Sequence, residues 1–163
     1  MPIHPISPVF DENSEILILG SFPSVKSRES EFFYSHPRNR FWQVIATVLE
    51  KELPRTVEEK RKLLLDSGIA VWDVIASCDI EGSADSTIKN VIPNDLTIIL
   101  NNSRINRIFV NGKTAKKYYN KYIKDIIGKE AKCLPSTSPA NAAYSINKLV
   151  EEWNLIKNPP TLP

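Results

Sequence analysis

Three short stretches of this chain carry residue types suited to chemistry rather than to packing alone. Gly20-Ser21-Phe22-Pro23-Ser24 follows an apolar run. Glycine permits close backbone approach and proline fixes a rigid turn beside it, so such a loop can aim backbone groups at a ligand. A plain strand-to-loop turn explains the same residues. Phe32-Phe33-Tyr34-Ser35-His36-Pro37-Arg38-Asn39-Arg40-Phe41-Trp42 gathers aromatics, a histidine, two arginines and an asparagine just before a helical pattern. Aromatic faces stack on bases and arginines meet phosphates. Against that, Asn39 suits a helix N-cap, and Phe41 and Trp42 suit a core better than a ligand surface. In Leu134-Pro135-Ser136-Thr137-Ser138-Pro139-Ala140-Asn141-Ala142, small hydroxyl residues are fixed by two prolines. They suit hydrogen bonds to a phosphate at a helix N-terminus. They also read as a capped helix start, with Ser138 as N-cap and Pro139 at the first helical position.

The elements that must position these stretches follow from apolar periodicity. Ile16-Leu17-Ile18-Leu19 before Gly20, Ile69-Ala70-Val71-Trp72 after Gly68, and Ile108-Phe109-Val110 before Asn111-Gly112 read as buried strands. Lys132-Cys133-Leu134 is a weaker fourth. Between them, helical spacing runs from Phe41 to Lys51, Val57 to Asp66, Pro93 to Asn102, Thr114 to Ile127, and Pro139 to Ile156. Strands alternating with helices predict an α/β fold, a three-layer α/β/α sandwich around a central, mainly parallel four-stranded sheet. Ligand sites in such folds form beyond the carboxyl ends of the strands. Gly20 to Ser24, Asp73, Asn111 and Pro135 to Asn141 then surround one crevice. Glu81-Gly82-Ser83-Ala84-Asp85-Ser86 reads as a further phosphate-facing loop, because glycine and serine keep its amides accessible. Lys113, Lys116 and Lys117 add charge near Asn111-Gly112, though a solvated helix face explains them as well.

Bulk composition narrows the classes. With 163 residues, 42% of them hydrophobic, the chain suits a single domain over residues 1–163 with a proper core. No apolar run approaches the roughly 20 residues that cross a membrane, and Met1-Pro2-Ile3-His4-Pro5 lacks the pattern of a signal peptide. A cytoplasmic location, with the nucleoid in a prokaryote, is expected. Cys78 and Cys133 are the only cysteines and His4 and His36 the only histidines, too few for a disulfide framework, and unpromising for a metal site or an iron-sulfur cluster. No cofactor is expected. A net charge of +2 neither demands nor excludes nucleic acid, since a few phosphate contacts need only a local basic face.

The three stretches, in this order, resemble the uracil-DNA glycosylase superfamily over most of the chain. Gly20-Ser21-Phe22-Pro23-Ser24 is similar to its Gly-x-x-Pro-Gly or Gly-x-x-Pro-Tyr loop. Tyr34 to Trp42 resembles the aromatic-x-His-Pro-x-Asn-x-Phe-Trp segment of the mismatch-specific uracil-DNA glycosylases. Ser-Thr-Ser-Pro-Ala-Asn-Ala at residues 136–142 resembles the hypoxanthine-DNA (DNA-deoxyinosine) glycosylase branch. The combination is specific although each motif alone is not.

The resemblance implies a monofunctional, monomeric enzyme that flips a deaminated base, hypoxanthine, out of DNA and hydrolyses it away. Many relatives carry Asn or Asp in the first motif to position water; here Ser21 and Phe22 stand instead. Membership of the hypoxanthine branch then implies that Asn39 takes the catalytic role. Gly20, Ser21, Phe22, Pro23, Asp73 and Asn111 would form the base pocket, with Tyr34 stacking on the base. Asp73 falls where relatives often carry an Asn that reads uracil; a carboxylate only accepts, so it repels uracil O4. Hypoxanthine O6 poses the same difficulty, and a helix or turn cap explains Asp73 too. Ser24, His36, Ser83, Ser86, Ser136, Ser138, Pro139, Ala140 and Asn141 would hold DNA and its phosphates, with residues 141–144 entering the vacated stack. No lysine lies in the matched motifs, so no Schiff-base step is expected. The alternatives are a mismatch-specific uracil or thymine glycosylase and a non-catalytic nucleotide-binding module.

Overall fold

The computed structural model describes residues 3–157; Met1, Pro2 and residues 158–163, which the single-domain reading included, lie outside it. Along the chain run β1 (Ile16–Gly20), α1 (Val25–Ser30), α2 (Phe41–Val48), α3 (Val57–Asp66), β2 (Ile69–Asp73), β3 (Ile75–Asp79) and β4 (Lys89–Pro93). There follow α4 (Thr97–Asn101), β5 (Arg107–Asn111), α5 (Lys113–Tyr122), α6 (Lys124–Ile127), β6 (Lys132–Leu134) and α7 (Ile146–Trp153).

Four strands form one parallel sheet in the order β2-β1-β5-β6. Their apolar runs are continuous because both faces are covered. Successive residues serve opposite layers. Ile18, Val71 and Phe109 pack with α2, α3 and α7, through Ile45, Leu64, Leu149 and Trp153. Leu17, Leu19, Ala70, Ile108 and Val110 pack with α4 and α5, through Ile99, Ala115 and Tyr119. This is the expected three-layer sandwich. The register sets Gly20 beside Asp73 and Asn111 beside Leu134, so the carboxyl ends finish level on one rim.

Several element boundaries differ from the periodic reading. Residues 75–93 form an antiparallel hairpin, β3 with β4, and the helix expected from Pro93 shrinks to α4. β4 alternates poorly, since it lies at the surface and carries Asn90 at φ 54°. The Thr114–Ile127 helix breaks at Ile123 into α5 and α6. Ser24 starts the short α1, accepting a hydrogen bond from Ser27 N.

The largest correction is the last helix, which starts at Ile146 behind a Ser145 cap rather than at Pro139. Arg40 braces the intervening residues. Its guanidinium donates to the carbonyls of Ser138 (3.1 Å), Asn141 (3.0 Å) and Tyr144. With those carbonyls claimed, residues 138–144 are held as an ordered loop. The phosphate argument from a helix N-terminus at Pro139 therefore falls away.

Trp153 ties α7 to this loop: its ring meets Phe41 edge-on at 5.9 Å, and Nε1 donates to Pro135 O at 2.9 Å. Trp153→Ala should lower the unfolding free energy by about 3–5 kcal/mol in urea titration, as for other buried aromatics. A loss below about 1 kcal/mol would contradict this packing role.

Candidate active site

Beyond the carboxyl ends of the central strands lies a cavity of about 580 Å³. It gathers Gly20, Ser21, Phe22, Pro23 and Ser24 from the first stretch, Tyr34, His36 and Asn39 from the second, and Ser136, Ser138, Pro139 and Ala140 from the third. Asp73 and Asn111, at the ends of β2 and β5, line it, as do Ser83 and Ser86 from the tip of the β3–β4 hairpin. Asn141 does not. It sits in an adjoining cleft of about 550 Å³, with its Nδ2 donating back to Ser136 O at 3.0 Å. Phe41 and Trp42 are buried in the core, as their size suggests.

At the floor, Gly20 is required by close approach. A Cβ there would stand 2.3 Å from Asp73 Oδ1 and 3.0 Å from the Tyr34 hydroxyl, and no real side chain tolerates the first distance. Asp73 is 3% exposed. Its Oδ2 accepts from His4 Nε2 at 2.7 Å, while Ile6 N–H donates to His4 Nδ1. That second bond puts the ring proton on Nε2. Tyr34 has φ 52°, a left-handed conformation costly for an aromatic residue, and its neighbour Ser35 is anchored through N–H to Ser27 Oγ at 3.0 Å. Its ring lies flat on Phe41, with centroids 4.0 Å apart. Burial and the Asp73 charge both push the Tyr34 phenol well above its ordinary pKa.

At the wall, Thr137 has no exposed surface and joins the second stretch and Asn111 to the third. Its hydroxyl donates to Asn39 Oδ1 at 2.9 Å and accepts from Asn111 Nδ2 at 3.0 Å. Its N–H donates to Asn111 Oδ1, and its carbonyl accepts from Arg40 N–H. Asn39 Oδ1 also accepts from Phe41 N–H at 2.9 Å, so the residue does cap α2 as its type allows. With both lone pairs of Oδ1 taken, Nδ2 is the part of Asn39 left to meet a ligand or water.

The rim is built from hydroxyls. Ser136 Oγ, Ser138 Oγ and Ser83 Oγ each accept a backbone N–H, from Ser138, Ala140 and Val25. Each therefore keeps its own proton to donate outward. Arg28 fastens the hairpin tip to the first loop, donating to Gly82 O at 2.6 Å and Pro23 O at 3.2 Å. Arg40 is engaged inward, so the second stretch does not offer it to phosphate. His36 Nδ1 accepts from Arg38 N–H, which leaves its Nε2–H as donor. The Asp85 carboxyl also meets the cavity. Desolvation raises its pKa, the Thr114 and Ser21 hydroxyls partly offset this, and the Asp73 charge adds to it.

The model of the uracil DNA glycosylase superfamily matches residues 7–157. The chain belongs to the uracil DNA glycosylase superfamily. A hypoxanthine DNA glycosylase of Methanosarcina acetivorans is 36% identical over 150 residues, covering 91% of this chain and 93% of its own. One of Methanosarcina barkeri is 35% identical over 136 residues, covering 82% and 85%. The solution NMR structure of a candidate uracil DNA glycosylase from Methanosarcina acetivorans superposes with a TM-score of 0.77 at 32% identity, covering 94% of this chain and 97% of that one. The resemblance read from the motifs and the parallel-sheet fold are both shown by these matches. Among the described residues no helix is long and apolar enough to cross a membrane, and no three His, Cys, Asp or Glu side chains cluster as metal ligands.

Three residues of this superfamily site escaped the motif reading. His4 lies 69 positions from its partner Asp73, and no local pattern links them. Asp85 stands between serines that were picked out as neutral phosphate donors. Thr137 lies inside the third stretch but points inward.

Two measurements check this geometry. Thr137→Val keeps the shape but strands Asn39 Oδ1 and Asn111 Nδ2, so it should lose about 1–3 kcal/mol of stability; Thr137→Ser should lose far less. Equal losses would show that the hydroxyl matters no more than the methyl. Asp85 has a raised folded pKa, so its ionisation disfavours the folded state as pH rises through and above the ordinary aspartate range. Asp85→Asn should match the wild type near pH 3 and become relatively more stable toward pH 7; a difference that stays flat with pH contradicts the shift.

Proposed function

We propose that this chain is a monofunctional DNA glycosylase that removes hypoxanthine, the deamination product of adenine, from DNA. The observation that carries the reading is the convergence of three motif stretches on one strand-end cavity, with the Asn39 amide locked at its wall by Thr137 and Phe41. The relatives named hypoxanthine DNA glycosylase, similar over most of both chains, support the choice of base.

A base cannot react while stacked in a duplex, and extruding it costs a few kcal/mol, least for a mismatched or damaged base. The serine rim, Ser24, Ser83, Ser86, Ser136 and Ser138, with His36, holds the phosphates around the extruded nucleotide, while Pro139 and Ala140 shape the wall beside it. Gly20 to Pro23, Tyr34, Asp73 and Asn111 receive the base. Cleavage sends the electron pair of the C1′–N bond to the departing base, which takes up a proton, and leaves a cationic sugar. Water then adds its oxygen to C1′ and releases a proton to solvent. Asn39 acts on that water as a donor: Nδ2–H fixes the oxygen while one lone pair stays free for C1′. Full deprotonation of the water is unnecessary once the sugar carries the positive charge.

Oligonucleotides containing hypoxanthine, uracil or xanthine, incubated with the protein and then treated with alkali, test the assignment. Strand breaks should appear at hypoxanthine; release of uracil alone would favour a mismatch uracil glycosylase. In single-turnover excision, Asn39→Ala should fall by about 100-fold or more, the worth of a positioned catalytic group, while binding to the same DNA largely survives. Near-normal turnover would remove Asn39 from the mechanism.

A further inference from the structure

The Tyr34 hydroxyl is, among the described residues, the buried side-chain oxygen with no hydrogen-bond partner. Such orphans are rare enough in native structures to require a reason. The Asn111 amide comes close to it, but the bonds that amide makes, through Nδ2 and Oδ1, run to Thr137 and none reaches the phenol. On the other side of Gly20 lies Asp73 Oδ1. Both oxygens are within 3.0 Å of the point where a Gly20 Cβ would stand, on the cavity floor.

The two Asp73 oxygens are not equivalent. Oδ2 is occupied by His4 Nε2–H, and the His4 ring is itself held by Ile6 N–H and wedged against Phe22, Phe33 and Trp72. The carboxylate is thereby fixed with Oδ2 on His4 and Oδ1 beside Gly20. The floor thus offers one acceptor that cannot donate beside one donor, the phenol, whose proton burial and the neighbouring charge retain.

We infer that Asp73 Oδ1 and the Tyr34 hydroxyl together read the lactam edge of the flipped base, with His4 as the positioning residue. The inference rests on the proposed function and deepens it. Deamination of adenine replaces an accepting ring nitrogen and a donating amino group with a donating ring N–H and an accepting carbonyl oxygen. Asp73 Oδ1 accepts the N–H of hypoxanthine while Tyr34 donates to its carbonyl. Adenine sets its N1 lone pair against Asp73 Oδ1, a clash of two acceptors that the phenol, which can also accept from the amino group, does not relieve. The pair also removes the difficulty that a carboxylate alone poses for the carbonyl oxygen. Guanine and thymine carry the same edge, so their exclusion falls to the cost of extruding a correctly paired base. A site built to bond a specific donor and acceptor discriminates strongly because the mismatch leaves buried groups unpaired.

The test compares binding of oligonucleotides carrying hypoxanthine or unsubstituted purine, each on a 2′-fluoro sugar that resists cleavage. Purine lacks the carbonyl and presents a bare N1 lone pair. Wild-type protein should bind hypoxanthine about tenfold or more tightly than purine, equivalent to a single well-made hydrogen bond. Tyr34→Phe, which keeps the stack on Phe41, should narrow the ratio of the two Kd values, leaving the part that Asp73 Oδ1 supplies. Asp73→Asn should invert the preference, because His4 holds the amide oxygen and turns its NH2 toward N1. A wild-type ratio near one, or a ratio unchanged in either variant, overturns the inference. Failure of the wild type to release hypoxanthine from ordinary DNA counts instead against the proposed function.

Discussion

Thr137 makes hydrogen bonds to Asn39, Arg40 and Asn111 from a position with no solvent exposure. One buried threonine thus joins the end of β5, the start of α2 and the loop after β6. These three segments are far apart in sequence and have no direct strand pairing among their site residues. A buried polar network rigidifies when every member is satisfied and is costly when any is not. Here the satisfaction is nearly complete at the wall, and the geometry of Asn39 follows from it.

The loop after β6 shows how the same logic reaches outward. Three of its carbonyls accept from the Arg40 guanidinium, and those of Ser138 and Asn141 also close backbone turns. Arg40 sits next to Asn39, and both bond Thr137, so the residue that shapes the serine rim and the residue at the cavity wall share one anchor. The floor is held independently. His4 arrives from the N-terminal segment, pinned to the sheet by Val9 pairing with Val71, and orders the Asp73 carboxylate from behind. A buried hydrogen bond to a carboxylate of this kind does little for net stability, and its value lies in orientation.

Much of the scaffold was legible from apolar runs. All four strands of the parallel sheet and the span of α3 follow from period and punctuation, because those segments are buried on defined faces and their propensities agree with their surroundings. What was not legible has identifiable causes. The hairpin strand β4 is mostly exposed and lacks a clean alternation. The loop ahead of α7 is braced by an arginine about 100 positions away, which no local pattern encodes. The motif stretches announced the cavity, since Gly, Pro, Asn and Ser occur there where packing would choose otherwise. His4, Thr137 and Asp85 were invisible for the opposite reason: each gains its meaning only from a partner brought near by the fold.

The account places a flipped nucleotide over the cavity floor, with its anomeric carbon facing the amide of Asn39. A crystal structure of the protein bound to DNA carrying a cleavage-resistant 2′-fluoro hypoxanthine nucleotide tests this most directly. The expected result is a base whose lactam edge meets Asp73 and Tyr34 on the cavity floor, with a water or C1′ within hydrogen-bonding or van der Waals reach of Asn39 Nδ2. A base lodged elsewhere, or a sugar turned away from Asn39, would contradict it.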